Sequence, residues 1–252
     1  MNIPWAIKRQ LTYLALFLVI VFGIAVFLAF RAFAPTCFDN KQNQGEQGID
    51  CGGPCQKQCL GDIKKLIVPW ANVFKIDENL YEVIALVDNP NLRLAIPFIG
   101  YQFKLYDKNN VLIAVRDGET FINPGEVFPI FEISIDTGNR VPERAFIEFK
   151  NDFKWEIVEK EKIQLVVSKK EFVNNPSPRL SVVIDNKSAL PAKDIYAVAV
   201  LYDKDNNVKG ASSTRIDFVS AAGSKSVVFT WPQPFAEEFL SNNVFFRTGF
   251  GI

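Results

Sequence analysis

Residues 11–30, LTYLALFLVIVFGIAVFLAF, carry no charged side chain, and they limit what the rest of the chain can be. A helix rises about 1.5 Å per residue, so a run of about 20 apolar residues reaches across a hydrocarbon layer of about 30 Å. A buried helix of a water-soluble core is usually shorter and carries a polar stripe. Lys8 and Arg9 close one end of the run and Arg31 the other, with Trp5 where an interfacial aromatic belongs. The expectation is a membrane-spanning helix over 11–31 behind a cytoplasmic tail at 1–10, with the lipid bilayer as its partner. A cleaved signal peptide fits less well. Its apolar stretch is about 7–15 residues, and here Pro35 directly follows the small-residue triplet Ala32-Phe33-Ala34.

Lys8, Arg9 and the α-amino group outweigh Arg31 and Lys41 slightly, a bias toward a cytoplasmic N-terminus. The cysteines point the same way. Cys37, Cys51, Cys55 and Cys59 cluster just beyond the helix and no other cysteine exists. An even, clustered set is what an oxidising compartment permits as disulfides. Residues 32–252 are therefore expected outside the cytoplasm, on a single-pass protein of the cell membrane.

Residues 32–61 are rich in Gly, Gln, Asn and Asp and poor in aliphatic side chains, so they cannot build an apolar core unaided. Two disulfides are the preferred means of ordering them, with the pairing open among three possibilities. Asp39, Asn43, Glu46 and Asp50 recur between the cysteines every three or four residues. Hard cations take oxygen ligands, so these four are candidate calcium ligands. A four-thiolate zinc site and a redox pair at Cys51 and Cys55 are weaker alternatives, because the spacing between those two departs from Cys-x-x-Cys. The whole segment resembles a small cysteine-rich motif that recurs in bacterial surface and secreted proteins, although Asp39-Asn40 and Asn43-Gln44 stand where usual versions carry Asp-Gly and Asn-Gly.

Beyond residue 62 the chain changes to short runs of Val, Ile, Phe, Leu and Tyr separated by Asn, Asp, Gly and Pro. Such runs, bounded by turn residues, mark an all-β sandwich or barrel. Only 235–240 could form a single helical turn. The runs also repeat. Val87-Asp88-Asn89 recurs 97 positions on as Ile184-Asp185-Asn186. Leu105-Tyr106-Asp107-Lys108 recurs 96 positions on as Leu201-Tyr202-Asp203-Lys204. With one residue added after that block, Asn109-Asn110-Val111 returns as Asn206-Asn207-Val208, 97 positions on. One register held across several blocks predicts two homologous domains, 62–158 and 159–252, joined by the charged link at 159–162.

In Phe103-Lys-Leu-Tyr-Asp107 the alternation predicts Phe103 and Leu105 facing a core, with Lys104 and Tyr106 on the other face. Asp107-Lys-Asn-Asn110 then turns the chain, and Asn123-Pro-Gly-Glu126 makes a further turn. These residues resemble the FxLYD family of bacterial and archaeal extracytoplasmic domains. The second domain departs from the pattern, with Ala199 for the phenylalanine and Ala221-Ala222-Gly223 for the turn. The resemblance implies two tandem immunoglobulin-like β-sandwich domains after the transmembrane helix and the disulfide-rich segment, and it implies little chemistry.

Composition narrows function further. The chain has no histidine, which removes Ser-His-Asp and Cys-His nucleophile systems and His-ligated zinc. Lys plus Arg equals Asp plus Glu at 28 each, so no net charge draws nucleic acid. No phosphate loop or nucleophile elbow occurs. The expected role is non-catalytic binding or scaffolding of a protein partner in the cell envelope. The alternatives are a subunit of a larger envelope assembly, such as a filament or secretion machine, or a calcium-dependent surface module. Trp231 and Phe235, in the stiff loop Trp231-Pro-Gln-Pro-Phe235, are candidates for a partner surface, against packing at a sandwich end or domain seam.

Overall fold

A computed structural model describes residues 4–33, 37–55, 57, 59, 63–150, 152–158, 163–236 and 241–249. The link expected at 159–162 and most of the possible turn at 235–240 lie outside the described residues. The chain divides into two compact units, Met1–Ile63 and Lys64–Ile252.

In the first unit one helix, α1 (Trp5–Phe33), is followed by the cysteine-rich loops. It begins six residues before the apolar run expected to hold it. Pro4 supplies the first acceptor, taking the amides of Ile7 and Lys8 at 3.0 and 3.2 Å, and no helix breaker lies between Trp5 and the run. Arg9 sits one turn from both Trp5 and Tyr13, its guanidinium 5.4 and 5.6 Å from their ring centres. Between Ile7 and Ala29 the helix is long and apolar enough to cross a membrane, and no part of that stretch is buried against protein. Leu16, Phe17, Val19 and Phe22 are all more than 60% exposed, so only another apolar medium can cover them.

The second unit is all β. Seven strands form its first half: β1 (Ile67–Lys75), β2 (Leu80–Asp88), β3 (Leu94–Tyr106), β4 (Leu112–Ile122), β5 (Val127–Asp136), β6 (Arg144–Phe149) and the short β7 (Glu156–Ile157). Six form the second: β8 (Leu165–Val173), β9 (Arg179–Asn186), β10 (Ala192–Tyr202), β11 (Val208–Val219), β12 (Ser224–Thr230) and β13 (Ser241–Thr248). The first half makes the sheets β1-β2-β5 and β4-β3-β6, with β7 added to β3; the second makes β8-β9-β12 and β11-β10-β13. All pairings are antiparallel. The two strand orders coincide, so the chain forms two β-sandwiches built the same way. Each has its own core, around Phe103, Leu105, Val83 and Ile122 in the first and around Leu180, Ile184, Leu201 and Phe229 in the second.

The repeated Asp-Asn pairs become matching knots. Asn89 and Asn186 are both fully buried. Asn89 Nδ2 donates to the carbonyls of Leu94 and Asn123 at 2.7 and 2.8 Å, while its Oδ1 accepts the Asn91 amide at 3.0 Å. Asn186 Nδ2 donates to the carbonyls of Leu190 and Ser220 at 2.8 and 3.1 Å, and its Oδ1 accepts the Ser188 amide at 3.0 Å. The hairpin turns match as well. Asp107 Oδ1 accepts the amides of Asn109 and Val111 at 2.8 and 2.9 Å, and Asp203 Oδ1 those of Asp205 and Asn207 at 2.8 and 2.9 Å. Asn110 and Asn206 take the left-handed conformation, at φ of 63° and 61°.

That equivalence moves the extra residue of the second half. Asn110 corresponds to Asn206, not Asn207, so the hairpin loops are equal in length. The added residue falls late in β11 instead. In the first sandwich β3 slips against β4 between Ile96 and Ile99, whereas Ala192, Lys193 and Ile195 pair with β11 without a slip. One extra residue in β11 takes up what is a bulge in β3.

A third apolar cluster joins the sandwiches. Ile84 and Phe128 of the first meet Val198, Val200 and Ala211 of the second, with Trp70, Phe74, Phe131, Tyr196, Tyr202 and Phe245 packed around them. The outer face of β1-β2-β5 thus lies against the outer face of β11-β10-β13.

Two outcomes follow from these contacts. Asn89→Ala removes two donors and an acceptor from a dry site, and it is expected to cost about 2–3 kcal/mol and lower the melting temperature by several degrees. Asn186→Ala should behave alike in thermal melts. Burial pushes the Glu82 carboxyl on β2 up to about 7. The folded chain then holds a proton that the unfolded chain has released, so stability falls as pH rises from about 4.5 to 7 and levels off above. Glu82→Gln should flatten that slope in denaturant titrations at a series of pH values.

Candidate functional site

The four cysteines form two disulfides, Cys37–Cys55 and Cys51–Cys59. They hold loops that contain almost no apolar core. Gly48 is required at the crossing: a Cβ there would stand 2.8 and 2.9 Å from the sulfurs of Cys51 and Cys59. The candidate cation ligands lie between these bonds, and the carboxylates among them accept nearby amides. Asp50 Oδ1 accepts the Asp39 amide at 2.9 Å and its Oδ2 the Asn40 amide at 3.0 Å. Glu46 Oε2 accepts the amides of Asn43 and Asp50 at 3.2 and 3.3 Å. Asp39 accepts the Lys41 amide and the Asn43 side-chain amide, both at 2.9 Å. Asn43 Oδ1 is buried with no donor among the described residues.

Cys37 Sγ, Cys55 Sγ and a Glu46 carboxylate oxygen lie within 4.8 Å of one another, yet those two sulfurs are bonded together and have no lone thiolate to offer a metal. The carboxylates of Asp39, Glu46 and Asp50 do not gather within that distance. Carboxylates here serve as caps for turns that the amide-rich sequence could not otherwise satisfy.

Trp231 and Phe235 do not make an open surface. Trp231 is only 8% exposed and belongs to the core of the second sandwich. Its ring meets Phe172 and Phe235 edge to face, with centres 6.1 and 5.8 Å apart. Phe235 is pinned through its backbone, its amide donating to Asn174 Oδ1 at 3.0 Å and its carbonyl accepting Asn174 Nδ2 at 2.8 Å. Gly210 leaves the space these rings fill. The stiff loop folds its aromatics onto the core of the second sandwich.

The feature that sequence reasoning missed is at the seam. A cleft of about 400 Å³ opens between the sandwiches, lined from the first by Tyr101, Glu119, Phe128 and Phe131 and from the second by Tyr196, Ser213, Arg215 and Arg247. Arg247 leaves β13 and enters the first sandwich. Its guanidinium lies 4.3 and 4.2 Å from the ring centres of Phe121 and Phe128. Nη1 donates to the Phe121 carbonyl at 2.9 Å and Nη2 to Thr120 Oγ1 at 2.7 Å, while Nε is buried with no acceptor among the described residues. Burial pushes the Arg247 pKa down, and the nearby Glu126 carboxylate opposes that shift. The aromatic faces supply part of what the lost water supplied.

Across the cleft Tyr101 donates its hydroxyl to Glu132 at 2.6 Å, and Arg116 pairs with the other Glu132 oxygen at 3.0 Å. Burial, then the Glu132 contact, pushes the Tyr101 phenol up. The ring lies flat over Gly118, where a Cβ would collide with it. This group is internally satisfied.

A signal for the seam was present. Val198 and Val200 on β10 stand where Gln102 and Lys104 stand on β3. Residues 195–202 are therefore apolar on both faces, the pattern of a strand with no solvated side.

No protein-family model and no curated protein matches the chain. Among solved structures, a red sea bream transglutaminase is similar over 74% of this chain at 13% identity, with a TM-score of 0.24. The match spans 29% of that protein's length, and the likeness is too slight to carry fold or chemistry across.

Arg247→Ala is expected to strip the seam of two hydrogen bonds and leave Phe121 and Phe128 against a void, at a cost of about 2–4 kcal/mol. Arg247→Met fills the space without the charge and should recover more than half of that in the same thermal melts.

Proposed function

We propose that this chain is a single-pass membrane protein that holds two sandwiches outside the cytoplasm as a non-catalytic binding or scaffolding module. The observation that carries the reading is the pairing of a fully uncovered apolar helix with cysteines joined as two disulfides directly after it. Exposed apolar length calls for a bilayer, and disulfides persist where the surroundings are oxidising. Together they favour a cytoplasmic N-terminus.

The non-catalytic part rests on how the acidic groups are employed. Asp50, Asp107 and Asp203 accept backbone amides, and Glu126 closes the Asn123 turn by accepting its amide and side chain at 3.1 and 2.8 Å. Glu132 is committed to Tyr101 and Arg116. Carboxylates used this way brace loops and strands. We further propose that the sandwiches arose by duplication of an FxLYD-like domain, supported by the matching Asn89 and Asn186 knots and Asp107 and Asp203 turns.

Protease added to intact cells should digest the part beyond the helix, and a thiol-reactive maleimide should label the cysteines only after reduction. Protection of the sandwiches, together with labelling before reduction, would contradict the reading.

A further inference from the structure

We propose that the cleft between the sandwiches binds an acidic sugar: a six-membered ring carrying one carboxylate and several hydroxyls. The proposal rests on the binding-module reading, but its test does not depend on which side of a membrane the cleft faces.

Charge supplies the first argument. Tyr196 pairs with Arg215 on one side and Arg247 on the other, so the three side chains form one row across β11-β10-β13. The guanidinium carbons stand 4.6 and 5.6 Å from the Tyr196 ring centre. Among the described residues neither arginine forms an ion pair with a carboxylate. Two cations flank one ring; the Glu126 carboxylate acts on Arg247, while among the described residues no carboxylate pairs with Arg215, and that guanidinium is the one an anion stabilises. Arg247 has already committed both Nη atoms to the first sandwich, whereas Arg215 is exposed at the cleft. Arg215 is therefore the group a ligand carboxylate meets, with Arg247 adding its field from below.

The remaining lining decides what bears the carboxylate. Glu119, exposed on the opposite wall, repels a second negative charge and accepts hydroxyl protons. Ser213 lies two residues from Arg215 on the same face of β11 and offers a hydroxyl that both donates and accepts. Phe131 and Tyr196, both half-buried, give apolar walls suited to the C–H face of a ring. A volume of about 400 Å³ falls within the range of about 300–1,000 Å³ usual for small-molecule sites. A dianion such as phosphate would meet Glu119, and a plain aromatic acid would leave Glu119 and Ser213 without partners.

The test is calorimetric titration of the full chain in mild detergent with glucuronate, glucose and benzoate. Glucuronate should bind with millimolar affinity or better, and glucose and benzoate at least about tenfold more weakly, the loss expected for one charge-assisted contact or the hydroxyl set. Arg215→Gln should weaken glucuronate about tenfold while leaving the melting temperature near that of the unaltered chain, since Arg215 is solvent-facing. Should that variant melt early, Ser213→Ala on the same face replaces it, with a smaller weakening expected. No heat with glucuronate, equal binding of glucose or benzoate, or binding unchanged in the variants would overturn the proposal. A failure here with extracytoplasmic sandwiches leaves the anchored-module reading standing, and the converse result leaves the site standing.

Discussion

The Arg247 guanidinium, in no ion pair among the described residues and set against two phenylalanine rings at the seam, is the directional contact that joins the two sandwiches. Arg247 comes from the second sandwich, and every group it engages through its Nη atoms belongs to the first. Moving it away would expose Phe121 and Phe128 and the apolar cluster around Ile84, Val198 and Val200. Apolar contact alone is non-directional and would let the two faces slide. Directional bonds from a planar, forked side chain fix one arrangement, and Asn123 Nδ2 adds another by donating to the Thr248 carbonyl at 3.2 Å.

The seam is heterologous: the sandwiches are built alike, yet each offers a different sheet. Such an arrangement could in principle continue with further copies. The two faces left outside mix polar groups with the exposed apolar side chains of Val115, Phe146 and Val228. β3 carries Gln102 and Lys104 where β10 carries Val198 and Val200, and Lys104 pairs with Glu148 at 2.6 Å. β9 carries Ser181 and Asp185 outward, the latter held by Lys187 and Ser224, which together push its carboxyl pKa below the ordinary range.

Much of this fold could be read from residue order because the repeated blocks are also the hydrogen-bonded ones. Asp-Asn at a strand end and Asp-x-Asn-Asn in a hairpin specify local geometry through their own side chains, with little help from distant contacts. The alternation of Phe103, Lys104, Leu105 and Tyr106 fixed which face is inside. Disulfide pairing was not legible, since any two of four nearby cysteines can meet in a flexible loop. The acidic residues of that loop are candidate cation ligands in the sequence because backbone amides and metal ions ask for the same oxygens, and the structure adds which amides they meet. For Trp231 the sequence leaves a partner surface and packing at a sandwich end as alternatives, and nothing nearby in the chain announces the space above Gly210 that decides for packing. Arg247 lay beyond reach altogether: its partners Thr120 and Phe121 are remote in sequence, and only the loss of alternation in β10 hinted that a second layer covers it.

Spin labels placed at the exposed positions Asn139 and Ser226, one on each sandwich, would measure how firmly the seam holds in the full chain by double electron–electron resonance. A single narrow distance distribution, broadened when Arg247 is replaced by alanine, is the result expected of two sandwiches locked face to face. A broad distribution in the unaltered chain would mean that the sandwiches move independently, and a rigid seam would then be excluded.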